Sequence, residues 1–369
     1  MTNRVLIAGA SGLVGYAAVR HFTSLPGWEV VGISRRVPSG LPADAELLSV
    51  DLLDEEACRH VFGAMPRVTH LVYAALQETP GLMPGWVDPE VIERNARMLR
   101  NLFEPLSQSA SGLEHVSLLH GTKAYGLHHP SIGPSRMKVP LREKDPRQQH
   151  PNFYFEQEDY LRERQGDGRW GLTMWRPTVI YGDAPGNHMN SVPVIGAYAA
   201  LLRAEGHPLY FPGRPGAPTL REAVDADLVA RALSWATEEK AAWGQTFNLT
   251  NGDVFMWENV WPVIAETLGM EPGGPRPISL AESLPKHENE WATLVERYSL
   301  TAPKSLLEFT GFNSLVYTDT VLGAPNRPPL PILNSTIKIR QAGFTECMDT
   351  EDMFRKWFSL LKEKGAIPA

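Results

Sequence analysis

Cysteine is scarce in this 369-residue chain, which has only Cys58 and Cys347. No Cys-x-x-Cys pair occurs, so a disulfide framework or a cysteine-based zinc site is excluded and a reducing, cytoplasmic setting is expected. Basic runs are equally short. The longest Lys/Arg run is Arg35-Arg36, and with a formal charge of -7 the chain lacks the basic stripe that a nucleic-acid partner requires. Long apolar runs are missing too. Gly9 stops the N-terminal run far short of a signal segment, and the most apolar long stretch elsewhere, residues 192–202, has the length of a core helix, so no membrane partner is expected. What remains is ordinary globular composition, 43% hydrophobic and 21% charged, sufficient for a large core.

In the first half, short β-branched runs alternate with longer amphipathic ones, the period switch of repeated βαβ units around a parallel sheet. Strands are expected at 5–8, 30–34, 47–51, 71–75, 116–120 and 172–179, and helices at 13–24, 55–65 and 89–109. The last helix has the clearest start: Asp88 caps it, Pro89 suits its first turn, and Ile92, Ala96 and Leu99 recur on one face. After Gly182, Pro and Gly become frequent and helical stretches at 225–239, 257–268 and 352–362 dominate. The expected architecture is therefore α/β. A Rossmann-type, doubly wound parallel sheet occupies residues 1–185, and a smaller, mostly helical substrate-binding portion occupies 186–369, with returns to the sheet near 209–213 and 246–250. The Pro-rich stretch 323–333 reads as an ordered surface crossing.

The strongest local signal is Gly9-Ala10-Ser11-Gly12-Leu13-Val14-Gly15, which follows the first strand and opens the first helix. Gly9 permits the tight turn, Gly12 lets backbone approach a pyrophosphate, Gly15 lets helix and sheet pack closely, and the helix N-terminus offers free N–H groups to the anion. These residues, Ser11, Leu13 and Val14 included, are the expected dinucleotide contacts. At the end of the second strand stand Ser34, Arg35 and Arg36, where an acid would favour NAD. Two guanidinium groups and a hydroxyl suit a 2′-phosphate, so the expected cofactor is NADPH/NADP+. Asp51 and Leu52 are placed to meet the adenine.

Short-chain dehydrogenases ordinarily carry Tyr-x-x-x-Lys on one helix, and this sequence has no such pair in the expected region. The fifth strand instead runs into His120-Gly121-Thr122-Lys123-Ala124-Tyr125-Gly126, and downstream comes Asn152-Phe153-Tyr154-Phe155-Glu156-Gln157-Glu158-Asp159, with Glu158 where the lysine would stand. That displaced arrangement resembles the progesterone 5β-reductase and iridoid synthase family, atypical extended short-chain dehydrogenases. Trp175-Arg176-Pro177-Thr178-Val179-Ile180-Tyr181-Gly182, His188-Met189-Asn190, Asp225-Ala226-Asp227-Leu228 and the block from Phe247 to Trp257 are similar to the family's successive segments.

The resemblance implies an NADPH-dependent enone reductase, with hydride delivered to the β-carbon of an α,β-unsaturated ketone or aldehyde of steroid or terpenoid type. It implies Tyr154 as the donor to the enolate oxygen, with Lys123 reaching the tyrosine or the nicotinamide ribose and favouring tyrosinate character. Ala75, Pro177, Ile180 and Met189 then fall along the cofactor, and Tyr125 and His129 border the substrate. The resemblance is to a bacterial-type member, and departures from the plant pattern, His120 before Gly121, Ala124 after Lys123 and Phe155 after Tyr154, bear on substrate identity.

Other readings are weaker. His120, His128 and His129 lack the carboxylate or cysteine that would complete a metal pattern. Phe255, Trp257 and Trp261 recur at the spacing of a helix core, and Glu158-Asp159 read as solvated. A carbonyl reductase or nucleotide-sugar epimerase is the rival enzyme, and a non-catalytic NADP(H)-sensing regulator is the rival of another class. The expected partner is a small-molecule enone or enal, and a homodimer is compatible with the sequence.

Overall fold

The computed structural model describes residues 3–129, 138–166, 168–184, 187, 189–214, 219–323 and 332–369. Most of the Pro-rich stretch 323–333 and part of the loop after His129 lie outside the described residues. Among those described, seven parallel strands form the main sheet: β1 (Asn3–Ala8), β2 (Trp28–Ser34), β3 (Glu46–Ser49), β4 (His70–Tyr73), β5 (His115–Leu119), β6 (Gly171–Pro177) and a late strand, Thr246–Leu249. In space the order is Thr246–Leu249, β6, β5, β4, β1, β2, β3. The chain winds one way from β1 to β3 and the other from β4 onward, so a crevice opens between the C-terminal ends of β1 and β4, where such sheets bind ligands.

Helices cover both faces, as an all-parallel sheet requires. The helix α1 (Leu13–Ser24) packs on one face together with the helix Ala226–Glu238, burying Val5, Ile7, Val14, Phe22, Leu228 and Phe247. On the other lie α2 (Glu55–Phe62), α3 (Pro89–Ser109) and α4 (Phe153–Gln165), over Leu6, Leu71, Val116, Leu172 and Phe103. Their starts follow ordinary capping chemistry: the carboxylates of Asp54 and Asp88 and the amide oxygen of Asn152 accept backbone N–H groups of the first turns. From α5 (Ser191–Ala204) onward the chain is mostly helical, around a second core containing Trp257, Trp261, Trp291, Phe354 and Phe358. Among the described residues, no helix is long and apolar enough to cross a membrane.

Two expectations need correcting. Residues 209–213 do not return to the main sheet: the strand Leu209–Phe211 pairs with Pro272–Pro275 in a two-stranded sheet of its own. It follows α5, which is buried in the second core, and the Leu209 carbonyl accepts the indole N–H of Trp261 at 2.9 Å, so its backbone is engaged there. The expected strands at 71–75, 116–120 and 172–179 also stop early, at Tyr73, Leu119 and Pro177. Pro177 has no N–H for a continuing ladder. The early stops release Ala74–Leu76, His120–Gly121 and Thr178–Val179 into the crevice.

Candidate active site

A cavity of about 440 Å³ occupies that crevice. Its floor is the turn from Gly9 to Val14. Gly9 has φ +88°, and a Cβ there would stand 2.7 Å from the Ala74 carbonyl oxygen; one on Gly15 would stand 2.1 Å from the Gly9 carbonyl oxygen. Neither position tolerates a side chain, so the turn is closed beneath and open above. The amides of Gly9 and Ala10 both donate to the Ile33 carbonyl at 2.9 Å, holding the turn against β2.

Gly9, Ser11, Gly12, Leu13, Val14, Arg35, Arg36, Ala75, Pro177, Ile180 and Met189 line the cavity together. Gly15 lies beneath it. Arg35 and Arg36 are exposed at its rim, while the Ser34 hydroxyl donates to the Arg36 carbonyl at 2.5 Å and shapes the loop rather than the wall. Asp51 and Leu52 are not lining residues of this cavity. The Asp51 carboxylate accepts the Leu53 amide, Leu52 is buried in the core under α2 and α3, and its carbonyl accepts from the Asn101 side chain. Both are committed locally.

On the opposite side stands Tyr154, in the first turn of α4, its ring stacked on His120 with centroids 4.5 Å apart and planes inclined by 18°. Lys123 arrives from the short 3₁₀ turn Thr122–Tyr125 after β5, and its ammonium sits 5.6 Å from the centroid of the Tyr154 ring. Asn152 ties the two segments. Its side-chain oxygen accepts the Tyr154 amide at 3.0 Å, and its Nδ2 donates to the Lys123 carbonyl at 3.1 Å. Tyr154, Lys123, His120 and Gly121 all line the cavity.

Burial governs the protonation states. It pushes the Tyr154 phenol well above its ordinary value of 10, with nearby Glu78 and Tyr317 adding to the rise. The expected tyrosinate character is thus corrected: desolvation of a buried anion, with the nearby Glu78 charge, keeps Tyr154 an O–H donor. Burial likewise holds His120 well below 6.5, so its ring is neutral. Lys123 is pulled down by burial and pushed back up by Glu78, whose Oε1 lies 3.3 Å from Nζ.

Tyr125 points elsewhere. Its hydroxyl donates to Asn248 Oδ1 at 2.6 Å, its ring lies under the Arg176 guanidinium, and it is absent from the cavity wall. The geometry of the turn explains this: with three residues per turn, side chains two positions apart diverge, so Lys123 and Tyr125 cannot face the same space. His129 is also outside the lining. Its ring sits 5.4 Å from that of His150, while His128 does border the cavity, edge-on to Trp86. Glu158 is not solvated but 7% exposed, paired with Arg162 at 2.9 Å and Arg147 at 3.2 Å. Asp159 is exposed and also meets Arg147. Phe255 and Trp257 belong to the second core, as their spacing suggests, and also face the cavity; Trp261 serves the core alone.

The sequence reading missed Glu78, Trp86, Arg221, Glu222 and Tyr317, all of which line the cavity. They fall on three stretches far apart in the chain, 78–86, 221–222 and the helix around Tyr317, with no motif to join them. Only the fold assembles them.

The family model for PRISE-like Rossmann-fold domains matches residues 62–323. A 3-oxo-Delta(4,5)-steroid 5-beta-reductase of Arabidopsis thaliana is 31% identical over 376 residues, covering 98% of this chain and 92% of the relative. An (S)-8-oxocitronellyl enol synthase of Catharanthus roseus is 29% identical over 375 residues, again 98% and 92%. Among solved structures, the UDP-glucose 4-epimerase of Bifidobacterium longum with NAD+ and UDP superposes with a TM-score of 0.63 at 14% identity, over 98% of this chain and 100% of that one. The UDP-N-acetylglucosamine 4-epimerase of Methanobrevibacter ruminantium gives 0.65 at 13%, with the same coverage. Those likenesses speak to the fold. The extent of the family match and the near-complete alignment to the reductase and the enol synthase place this chain in the PRISE-like Rossmann-fold family.

Proposed function

We propose that the chain is an NADPH-dependent ene-reductase acting on α,β-unsaturated ketones or aldehydes of steroid or terpenoid type. The observation that carries this reading is Tyr154: a buried phenol kept protonated at the wall of a cavity whose floor is a dinucleotide-type glycine turn. The residues suit the cofactor. A turn that Cβ atoms at Gly9 or Gly15 would fill, the N-terminus of α1 at the cavity, and Arg35 and Arg36 at the rim fit a pyrophosphate and a 2′-phosphate. Ala75, Pro177, Ile180 and Met189 are the side walls for the rest of the molecule. When bound, NADPH supplies the hydride.

The chain's own residues then have defined tasks. Tyr154 donates a hydrogen bond to the carbonyl oxygen, stabilising the charge that gathers there as the double bond is reduced, an effect worth roughly a few kcal/mol. A neutral phenol serves, because the oxygen needs a donor and not a base. Lys123 orients Tyr154 and the ribose side of the cofactor. Phe255, Trp257, Val321 and Ile332 give the cavity an apolar wall that excludes water and accepts a hydrocarbon body. On this reading residues 1–185 carry the cofactor and 186–369 close the substrate side.

The test follows NADPH absorbance with cyclohexenone, progesterone and a monoterpene enal, and identifies the products. Saturated ketones and aldehydes are expected. Allylic alcohols would replace this reading with carbonyl reduction, and tight NADPH binding without turnover would replace it with a sensor.

A further inference from the structure

The loop between β4 and α3 crosses the site, and it carries a carboxylate that the proposed chemistry has not used. Glu78 has a side chain 2% exposed, against 14% for Lys123, and its two oxygens are separately engaged. Oε1 takes the Lys123 ammonium at 3.3 Å, and Oε2 accepts the indole N–H of Trp86 at 2.9 Å. The Trp86 ring in turn lies under the same ammonium, 4.3 Å from Nζ to the centroid. Acid, indole and amine thus form a closed triangle.

This loop is held in place from the far side of the cavity. Asn313, 4% exposed on the helix Phe312–Leu322, accepts the Gly81 amide at 2.9 Å and donates to the Thr79 carbonyl at 3.0 Å. Leu82 sits at φ +59°, ψ -75°, a conformation that costs free energy and persists only where surrounding contacts impose it. Glu78 is therefore fixed by the fold and not by chance rotation.

We infer that Glu78 is a positioning residue: it keeps Lys123 charged and aimed along the cavity wall beside Tyr154. Desolvation lowers the proton affinity of an ammonium this deeply placed, and the Glu78 carboxylate opposes that loss. Among the described residues, the other titratable groups facing Lys123 supply no negative charge. They are His128, held low by burial and by Lys123 itself, and Tyr154, held neutral. The remaining neighbours, Trp86 and Phe153, offer ring faces, which attract a cation more weakly than a carboxylate does. The purpose of the pair rests on the ene-reductase reading, but its existence does not.

Competitive acetylation with acetic anhydride measures this without turnover, because only an unprotonated amine reacts. Labelling of Lys123, read by mass spectrometry against exposed Lys144, is expected to run about tenfold faster at pH 8 in Glu78→Gln than in the wild type. The amide oxygen introduced by that substitution can still accept the Trp86 N–H, so the loop is retained. Glu78→Asp draws the carboxylate back from the amine, and its rate is expected between the two. Equal or slower labelling in Glu78→Gln overturns the inference. Should that variant not fold, a Glu78→Asp rate no faster than wild type does the same. The alkaline limb of kcat for enone reduction is expected at lower pH in Glu78→Gln, and coincident profiles count against the inference. Faster labelling in Glu78→Gln beside a wild type that turns over no enone would instead sink the ene-reductase reading while leaving the pair intact.

Discussion

The floor of the cavity, Gly9 to Val14, is one contiguous turn, whereas the wall opposite is gathered from Arg221, Glu222, Phe255, Trp257, Tyr317 and Ile332 on separate segments of the second half. The first is specified by backbone: glycines where a Cβ would meet carbonyl oxygens, and N–H groups at a helix end. The second is specified by side chains that also hold a core together, as the membership of Phe255 and Trp257 in the second hydrophobic cluster illustrates. A backbone-built wall accepts one kind of ligand and is broken by small changes. One built from side chains is retuned by them, and that is where substrate choice in such a fold would be set.

The largest effect should come from the floor. Gly15→Ala would put a methyl 2.1 Å from the Gly9 carbonyl oxygen, and we expect NADPH binding, followed by fluorescence titration, to be abolished. Next comes the phenol that faces this floor across the cavity. Tyr154→Phe removes one donor to the developing oxyanion, and steady-state kinetics should show kcat for enone reduction lower by about 10²-fold with NADPH affinity retained. Smaller still is the rim. Replacing Arg35 and Arg36 together by Ala should raise KM for NADPH about tenfold while leaving that for NADH nearly unchanged, and an equal change for both cofactors would deny the pair its role at the 2′-phosphate.

The last effect, on stability and not on turnover, belongs to the far wall, and it depends on pH. Burial pushes the Glu222 carboxyl up to about 7, against hydrogen bonds from the Asn334 amide and side chain that pull it back. A carboxyl raised above its unfolded value stabilises the fold at pH below that unfolded value and loses the contribution as pH rises through 7. Glu222→Gln mimics the protonated form, so thermal unfolding should show it more stable than wild type by about 1–3 kcal/mol at pH 8 and little changed at pH 4. An equal effect at both values would mean that the Glu222 carboxyl has the same pKa in the folded and unfolded states.

How much of this was legible in the sequence follows the same division. Gly9, Gly12 and Gly15 announce themselves because the constraint is local, three positions within one turn. The βαβ alternation announces the sheet because each element's period is local too. Tyr154 and Lys123 were found through a family likeness that preserves short segments. Tyr125 misled because spacing along the chain says nothing of direction around a 3₁₀ turn, and Leu209–Phe211 misled because a strand's propensity does not name its partner. Glu78 left no signal at all: its meaning depends on Lys123, 45 positions away, and on Asn313, farther still.

On the proposed reading, hydride reaches the alkene and not the carbonyl, under a phenol that donates without ionising. Reduction of 2-cyclohexenone with NADPH deuterated at the transferable position tests it most directly. Deuterium at the β-carbon of cyclohexanone, with the yield falling sharply in Tyr154→Phe, is the expected result. Deuterium on the carbinol carbon of 2-cyclohexenol would contradict it.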